Sequence, residues 1–338
     1  MNEKRSGFEI AAGTVCGRIK NYLRLIPLEV KEQAQEIRMR VNQPVEICCG
    51  RGVYFIRENG GVGCLPEPGN ILSSKQDIEE TFRNLCCYSV YSHQNEIKNG
   101  YITIRGGHRV GICGSAVVNS GEVTGIRDIS SLNIRIARQV NGCADELFHR
   151  LGGIPSGGIL LAGPPSSGKT TLLRDIARQL SSGERGEYKK VAVIDERGEL
   201  AGSFSGIPQN DLGVCCDVLD GYPKGEGILQ AIRSLSPEYV VFDELGSAAE
   251  ADAVAEGLNS GVFAITSIHA GGIHELMRRK QAEKLMAVGA FSHVVILGGR
   301  TAPGKITGIY KAGELIAETD RNACRDYSSK PGGLYGIA

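Results

Sequence analysis

Residues Gly163-Pro164-Pro165-Ser166-Ser167-Gly168-Lys169-Thr170 satisfy every fixed position of the pattern G-x-x-x-x-G-K-[ST]. This pattern constrains the fold as well as the chemistry, because it operates only between a strand and a helix. The apolar run Gly158–Ala162 enters it, and a helical stretch opening with Lys169-Thr170-Thr171 leaves it. The two glycines let the chain wrap with unusual φ values and turn backbone N–H groups toward phosphate oxygens. A helix starting at Lys169 adds its free N–H groups and the positive end of its dipole. Lys169 supplies a point charge for the outer phosphates of a nucleotide, and Thr170 a hydroxyl for Mg²⁺. The expected cradle is Gly163, Pro164, Pro165, Ser166, Ser167, Gly168, Lys169, Thr170 and Thr171. The expected cofactors are ATP and Mg²⁺.

Around this loop, apolar runs alternate with helical ones. Strands are expected at Gly158–Ala162, Val191–Asp195, Tyr239–Asp243, Val262–Ser267 and His293–Leu297. Helices are expected at Lys169–Leu180, Gly227–Leu235, Ala248–Asn259 and His274–Val288. Near-continuous apolar strands separated by helices specify a parallel sheet covered on both faces. The order expected is 5-1-4-3-2, counting from the strand that feeds the phosphate loop. A short strand pair, Ile306–Tyr310 and Glu314–Ala317, is expected to follow.

The first 140 residues read differently, as mixed α and β. A helix is expected over Tyr22–Met39 and another over Ser74–Cys87, capped by Ser73 or Ser74. Strand pairs are expected at Pro44–Cys49 with Gly52–Ile56 and at Tyr101–Arg105 with Arg109–Val118; Ser131–Ala137 adds a strand. With 41% hydrophobic residues, 338 positions suffice for two cores. The division expected is an α+β domain over 1–138, a linker over 139–153, an ATPase domain over 154–318 and a polar tail over 319–338.

Hydrolysis needs more than a phosphate cradle: a carboxylate on the metal side and a group that orients water. Tyr239–Asp243 is an apolar strand ending in Asp243 and Glu244, and strand C-termini form the ligand edge of such a sheet. Asp243 is the candidate for Mg²⁺ with Thr170, and Glu244 the candidate for polarising water. Val191–Asp195 ends in Asp195 and Glu196, a second acidic pair. A third strand runs into Thr266-Ser267-Ile268-His269, where Thr266 or His269 is placed to sense the γ-phosphate.

The formal net charge is zero, so no global field draws the chain to nucleic acid or anionic lipid, and nucleic-acid binding is not expected. Eleven cysteines include no Cys-x-x-Cys pair. Their expected state is reduced, small and buried, with a redox role for a doublet as the alternative. The first residues show no apolar segment of the signal-peptide kind, and no run approaches 18 apolar residues. The location expected is cytoplasmic, with recruitment to a membrane by partners.

Several segments resemble the type II and type IV secretion ATPases, RecA-like P-loop motors of the additional-strand class. Ile194-Asp195-Glu196-Arg197-Gly198-Glu199 is similar to their aspartate box, and Thr266-Ser267-Ile268-His269-Ala270 to their histidine box. Ile232-Arg233 through Pro237 to Glu244 is similar to their arginine–proline segment and Walker B strand. Glu36–Val45, Gly100–Val110, Asn133–Ala137 and Asp217–Gly227 resemble the stage III sporulation protein AA family across nearly the whole chain. The resemblance implies an α/β fold, a RecA-like parallel sheet preceded by a smaller α+β domain. It implies a mother-cell ATPase of endospore-forming bacteria, a homo-oligomeric ring such as a hexamer, and the other stage III AA–AH membrane proteins as partners. It also implies arginines reaching the phosphates, for which Arg105, Arg109, Arg127 and Arg135 are candidates. Two departures stand out. Secretion ATPases read Ile-Glu-Asp-Pro where this chain has Ile194-Asp195-Glu196-Arg197, and they have Gly where this chain has Asp243. Which of Asp195, Glu196 and Glu244 activates water is therefore open.

The leading reading is an ATP-hydrolysing motor for assembly or transport at the channel between mother cell and forespore. An ABC-type nucleotide-binding subunit is the alternative, although Gly221–Gly227 does not spell its signature. A nucleotide-gated scaffold with little turnover is the other.

Overall fold

The computed structural model describes residues 6–50, 52–258 and 261–317. They fall into two compact units. One holds the chain up to Gln139 together with Gly202–Asn210; the other holds Val140–Ala201 and the chain from Asp211 onward.

The first unit opens with three short helices, α1 (Gly7–Gly13), α2 (Gly17–Leu25) and α3 (Leu28–Gln33). Strands β1 (Ala34–Arg40), β2 (Gln43–Pro44), β3 (Glu46–Cys49), β4 (Gly52–Ile56), β5 (Val62–Gly63) and β6 (Leu72–Ser73) follow. Then come α4 (Lys75–Leu85), α5 (Gln94–Lys98), β7 (Tyr101–Ile104), β8 (His108–Asn119) and β9 (Glu122–Arg135). Seven strands build one sheet in the order β5-β4-β3-β1-β9-β8-β7, with every neighbour antiparallel, while β2 pairs with β6. Ile37, Met39, Leu132, Ile134 and Val110 from the sheet share a core with Ile19, Leu23, Ile78 and Leu85 from the helices.

The expected helix Tyr22–Met39 is not one element. Pro27 stops α2, because the residue before a proline is driven out of helical ψ. Beyond Ala34 the period is two: Ile37 and Met39 are buried, and Glu36, Arg38 and Arg40 alternate with them. The second expected helix is α4, and Ser74 caps it in a reciprocal box with Asp77. β9 begins nine residues earlier than the expected strand, as the return arm of a long hairpin with β8.

The second unit contains α6 (Asp145–Leu151), β10 (Ile159–Gly163), α7 (Lys169–Ser181), β11 (Val191–Asp195) and β12 (Cys216–Asp220). It continues through α8 (Lys224–Leu235), β13 (Tyr239–Phe242), α9 (Ala248–Leu258) and β14 (Phe263–His269). It ends with α10 (Ile273–Leu276), α11 (Lys280–Ala287), β15 (His293–Leu297) and β16 (Ile306–Lys311). The sheet order is β12-β11-β13-β14-β10-β15-β16, parallel except for the last pair. Counted from β10, the five central strands run 5-1-4-3-2, as expected, with β12 and β16 added at the edges. This is the RecA-like α/β arrangement.

Other expectations change in detail. The stretch 139–153 contains α6, whose Leu147 and Phe148 are buried in the second unit's core, so it is more than a connection. The backbone N–H of Ala144 donates to the buried Asp175 carboxylate at 2.8 Å and ties α6 to α7. The expected helix His274–Val288 is split into α10 and α11. Residues 314–317 are helical instead of extended. The stretch 319–338 lies outside the described residues. Cys16, Cys49 and Cys86 are buried as expected, but Cys64, Cys87, Cys113 and Cys215 are exposed. No helix among the described residues is long and apolar enough to cross a membrane.

Candidate functional site

The phosphate loop joins β10 to α7, and its shape depends on backbone that only some residues tolerate. Gly168 has φ +91°, and a Cβ there would lie 2.8 Å from the backbone nitrogen of Gly304. That nitrogen donates to the Ser167 carbonyl at 2.7 Å, so the β15–β16 connection braces the loop. Ser166 is also left-handed, at φ +61°. The Ser167 hydroxyl is buried with no hydrogen-bond partner, a donor without an acceptor inside the bowl of the loop. Pro165 and Ser166 are exposed at its tip, and Thr171 lies in the first turn of α7.

Lys169 is 6% exposed and its ammonium lies within the loop. It donates to the carbonyls of Gly163 at 2.9 Å and Pro164 at 3.0 Å. Burial lowers its pKa from the ordinary lysine value, against the opposing charges of Asp243 and Glu244. Its Nζ also lies 3.0 Å from His269 Nδ1. An ammonium can only donate, so Nδ1 is the acceptor and the ring proton belongs on Nε2. Nε2 faces Glu244 Oε1 at 3.5 Å.

The end of β13 is held from α7 and from β14. Thr170 Oγ1 donates to Asp243 Oδ2 at 2.5 Å, and Ser267 Oγ donates to Asp243 Oδ1 at 2.6 Å. The same Ser267 hydroxyl accepts the Glu244 N–H at 3.1 Å. Glu244 has φ +51°, a left-handed conformation that costs a non-glycine residue roughly 1–2 kcal/mol. Its carboxylate has no short bond: Arg197 stands 3.9 Å from it.

The second acidic pair divides. Asp195 is 3% exposed, and its carboxylate accepts the N–H groups of Glu199 at 2.8 Å, Leu200 at 3.2 Å and Ala201 at 2.7 Å. Arg174 donates to the carbonyls of Glu199 at 2.7 Å and Leu200 at 3.0 Å, so the same turn is gripped from both sides. Burial lowers the Arg174 pKa, while Asp195 and Asp243 act against that. Asp195 and Glu196 both line a cleft together with Arg197, Lys224, Asp243 and Glu244. Lys224 Nζ donates to the Glu244 carbonyl at 2.7 Å and stands 3.7 Å from Glu196.

Lys169, Thr170, Asp243, Glu244 and His269 are thus drawn together at one sheet edge. Thr266 is not with them: its side chain is fully buried and its hydroxyl has no partner. Ser267, Lys224 and Arg174 belong to the site and were not foreseen. Of the four arginine candidates, all in the first unit, Arg109 stacks on the Tyr101 ring at 3.8 Å. Arg135 lies 3.8 Å from Glu36, Arg127 lies 3.6 Å from Asp128, and Arg105 is exposed in the turn after β7. No cluster of metal-ligating type occurs among the described residues.

The donor set fits a magnesium–nucleotide. A buried ammonium and an unpartnered hydroxyl sit in a loop that opens onto a helix N-terminus, and a hydroxyl–carboxylate pair stands beside them.

Residues 9–316 match the family described as sporulation stage III, protein AA. The chain is 40% identical over 304 residues to stage III sporulation protein AA of Bacillus subtilis (strain 168), covering 89% of this chain and 94% of that protein. The fold is similar to the ATPase DotB of Legionella pneumophila, with TM-score 0.54 and 15% identity over 82% of this chain and 75% of that one. It is similar also to the pilus retraction motor PilT, solved with ADP, with TM-score 0.51 and 13% identity over 89% and 88% of the two chains.

Proposed function

The chain belongs to the sporulation stage III protein AA family, and from that premise we propose that it is a Mg²⁺-dependent ATPase that works as a homo-oligomer. One observation carries this reading. The phosphate-loop ammonium and hydroxyl, Lys169 and Thr170, are directly bonded to His269 and Asp243 of neighbouring strand ends, with Glu244 beside them. Phosphate binding alone needs the loop; the acids at its rim add a place for Mg²⁺ and for an attacking water.

In this reading the loop N–H groups and Lys169 bind the β- and γ-phosphates of ATP. Thr170 and Asp243 would hold Mg²⁺, which neutralises phosphate charge. Glu244 orients the attacking water and takes up its proton, since its carboxylate, without a short hydrogen bond, stands beside Asp243 and within 3.5 Å of His269 Nε2. His269, held with Nε2–H outward, is placed to donate to a phosphate oxygen or to Glu244. Asp195 shapes the turn that follows β11; its oxygens already accept three backbone donors, which leaves it poorly suited to water activation. The cleft arginine Arg197 and the first-unit arginines Arg105, Arg109, Arg127 and Arg135 are candidates for completing the charge around the phosphates in an assembled ring. The task we infer is work on the other stage III AA–AH proteins at the mother cell membrane, where peripheral recruitment would place it.

The test is turnover. The full chain at concentrations that allow assembly should hydrolyse ATP at least 10-fold faster than Lys169→Ala, which loses the phosphate charge. Glu244→Gln should keep Mg²⁺–ATP affinity within about 3-fold and lose on the order of 100-fold in turnover. If wild type is no faster than Lys169→Ala, the reading fails and the nucleotide-gated scaffold takes its place. Equal losses in Glu196→Gln and Glu244→Gln would move the water-orienting role toward β11.

A further inference from the structure

The segment Asp217–Gly227 is prominent in the sequence, and the chemistry above leaves it without a role. Its Lys224 is the first residue of α8 and only 9% exposed. That placement is costly twice over. An ammonium is removed from most of its water, and it stands at the positive end of a helix dipole, where cations are disfavoured. Such a residue is retained where its surroundings compensate, and three acceptors do so. Its Nζ donates to the Glu244 carbonyl at 2.7 Å, and the carboxylates of Glu196 and Glu250 lie at 3.7 and 3.9 Å. One cation therefore links the end of β11, the end of β13 and the start of α9.

The place of Lys224 is set by close packing. A Cβ on Gly227, one turn along α8, would lie 2.7 Å from Ile194 Cγ2. Only a glycine lets α8 lie this near to β11. Glu244, for its part, is held at both faces of its peptide units. Its N–H goes to Ser267 Oγ, its carbonyl to Lys224, and the next N–H, of Leu245, to the Ser267 carbonyl at 2.7 Å. A left-handed residue persists where its neighbours over-determine it, and Lys224 and Ser267 are those neighbours.

We propose that Lys224 is a positioning residue for Glu244. It fixes the left-handed backbone that aims the Glu244 carboxylate into the cleft, and it offsets the charge of Glu196 so that two strand-end acids stand together. It acts through Glu244, because its short bond is to the Glu244 carbonyl. The inference rests on the ATPase reading and adds to it a residue on another helix.

Lys224→Met removes the charge at similar length. In the full chain, turnover should fall on the order of 10- to 100-fold, the loss expected when a reacting group is misplaced by about 1 Å. Affinity for a fluorescent Mg²⁺–ATP analogue should stay within about 3-fold, which also reports that the loop is folded. In single-turnover assays, Lys224→Met added to Glu244→Gln should cost less than about 2-fold more, since both act through one carboxylate. Should Lys224→Met lose its thermal transition, the same cycle is read on Lys224→Gln, which keeps a polar end without charge. Unchanged turnover sinks the inference. So does a parallel loss of nucleotide affinity, or a full additive loss on Glu244→Gln. A wild type no faster than Lys169→Ala removes the ATPase reading and this inference with it. An active wild type with an unaffected Lys224→Met removes this inference alone.

Discussion

Asp195 and Asp243 stand near the ends of adjacent parallel strands, yet their surroundings assign them different work. Three backbone N–H groups converge on Asp195, and two side-chain hydroxyls on Asp243. Asp195→Asn would put an amide NH₂ against N–H donors in a buried site. It should cost on the order of 1–3 kcal/mol of stability, read as a lower melting temperature with or without nucleotide. Asp243→Asn should melt close to wild type and instead lose the Mg²⁺ dependence of nucleotide binding, read by titrating Mg²⁺ at fixed ATP analogue. Both acids were visible in the sequence as strand-end carboxylates. Their difference was not, because it lies in where the chain after Asp195 turns, and no spacing records that. Ser267 is a different kind of omission. Strand side chains alternate, so the face that carries His269 also carries Ser267 and excludes Thr266. That parity was available from the residues alone, and it identifies Ser267 as the hydroxyl at the site.

At the scale of elements, the phosphate loop, its strand and its helix were legible because the motif fixes both flanks. The brace on the loop was not legible: the β15–β16 connection lies more than 130 residues downstream, and only the sheet order brings β15 beside β10. Gly168 tests that brace. Gly168→Ala combines a left-handed φ with a Cβ only 2.8 Å from Gly304 N. The strain is on the order of 1–2 kcal/mol before the clash is counted, and it falls in the loop that the ATPase reading assigns to phosphate. Affinity for an ATP analogue should drop at least 10-fold by fluorescence titration, while α7 keeps its helicity by circular dichroism. Retained affinity would show that the loop re-forms without the Gly304 bond. β1 teaches the complementary lesson. Tyr22–Met39 has apolar residues at spacings that suit a helix, but Pro27 and the alternation from Glu36 to Met39 divide it. Tertiary pairing with β3 and β9 decides the strand, and pairing partners are invisible in a window of 15 residues.

For the molecule as a whole, burial lowers a histidine pKa in each unit, the half-buried His293 in the second and the more deeply buried His108 in the first. In the second unit the buried Asp175 is matched by Arg178 at 2.8 Å. In the first unit His108 is 1% exposed, its Nδ1 accepting the Ala137 N–H at 2.9 Å and its Nε2 without a partner. Burial pushes its pKa down from 6.5 to about 4. Between those values the unfolded chain binds a proton that the folded chain refuses, so the stabilisation is complete above about pH 6.5 and is lost as pH falls toward 4. Its size is on the order of 3 kcal/mol. Asp77 responds only at lower pH. Burial works to raise its carboxyl, but Arg18 and the Ser74 hydroxyl and N–H outweigh that and hold it below the usual carboxylate range. The first unit should therefore weaken at pH values where its acidic network is still intact. Calorimetric melts of the full chain at about pH 7 and pH 5 should show the transition carrying the first unit moving down. In His108→Asn, which keeps an acceptor for Ala137 but does not titrate, that movement should disappear even though the variant starts from lower stability. A pH dependence that survives the substitution would assign the acid response to groups other than His108.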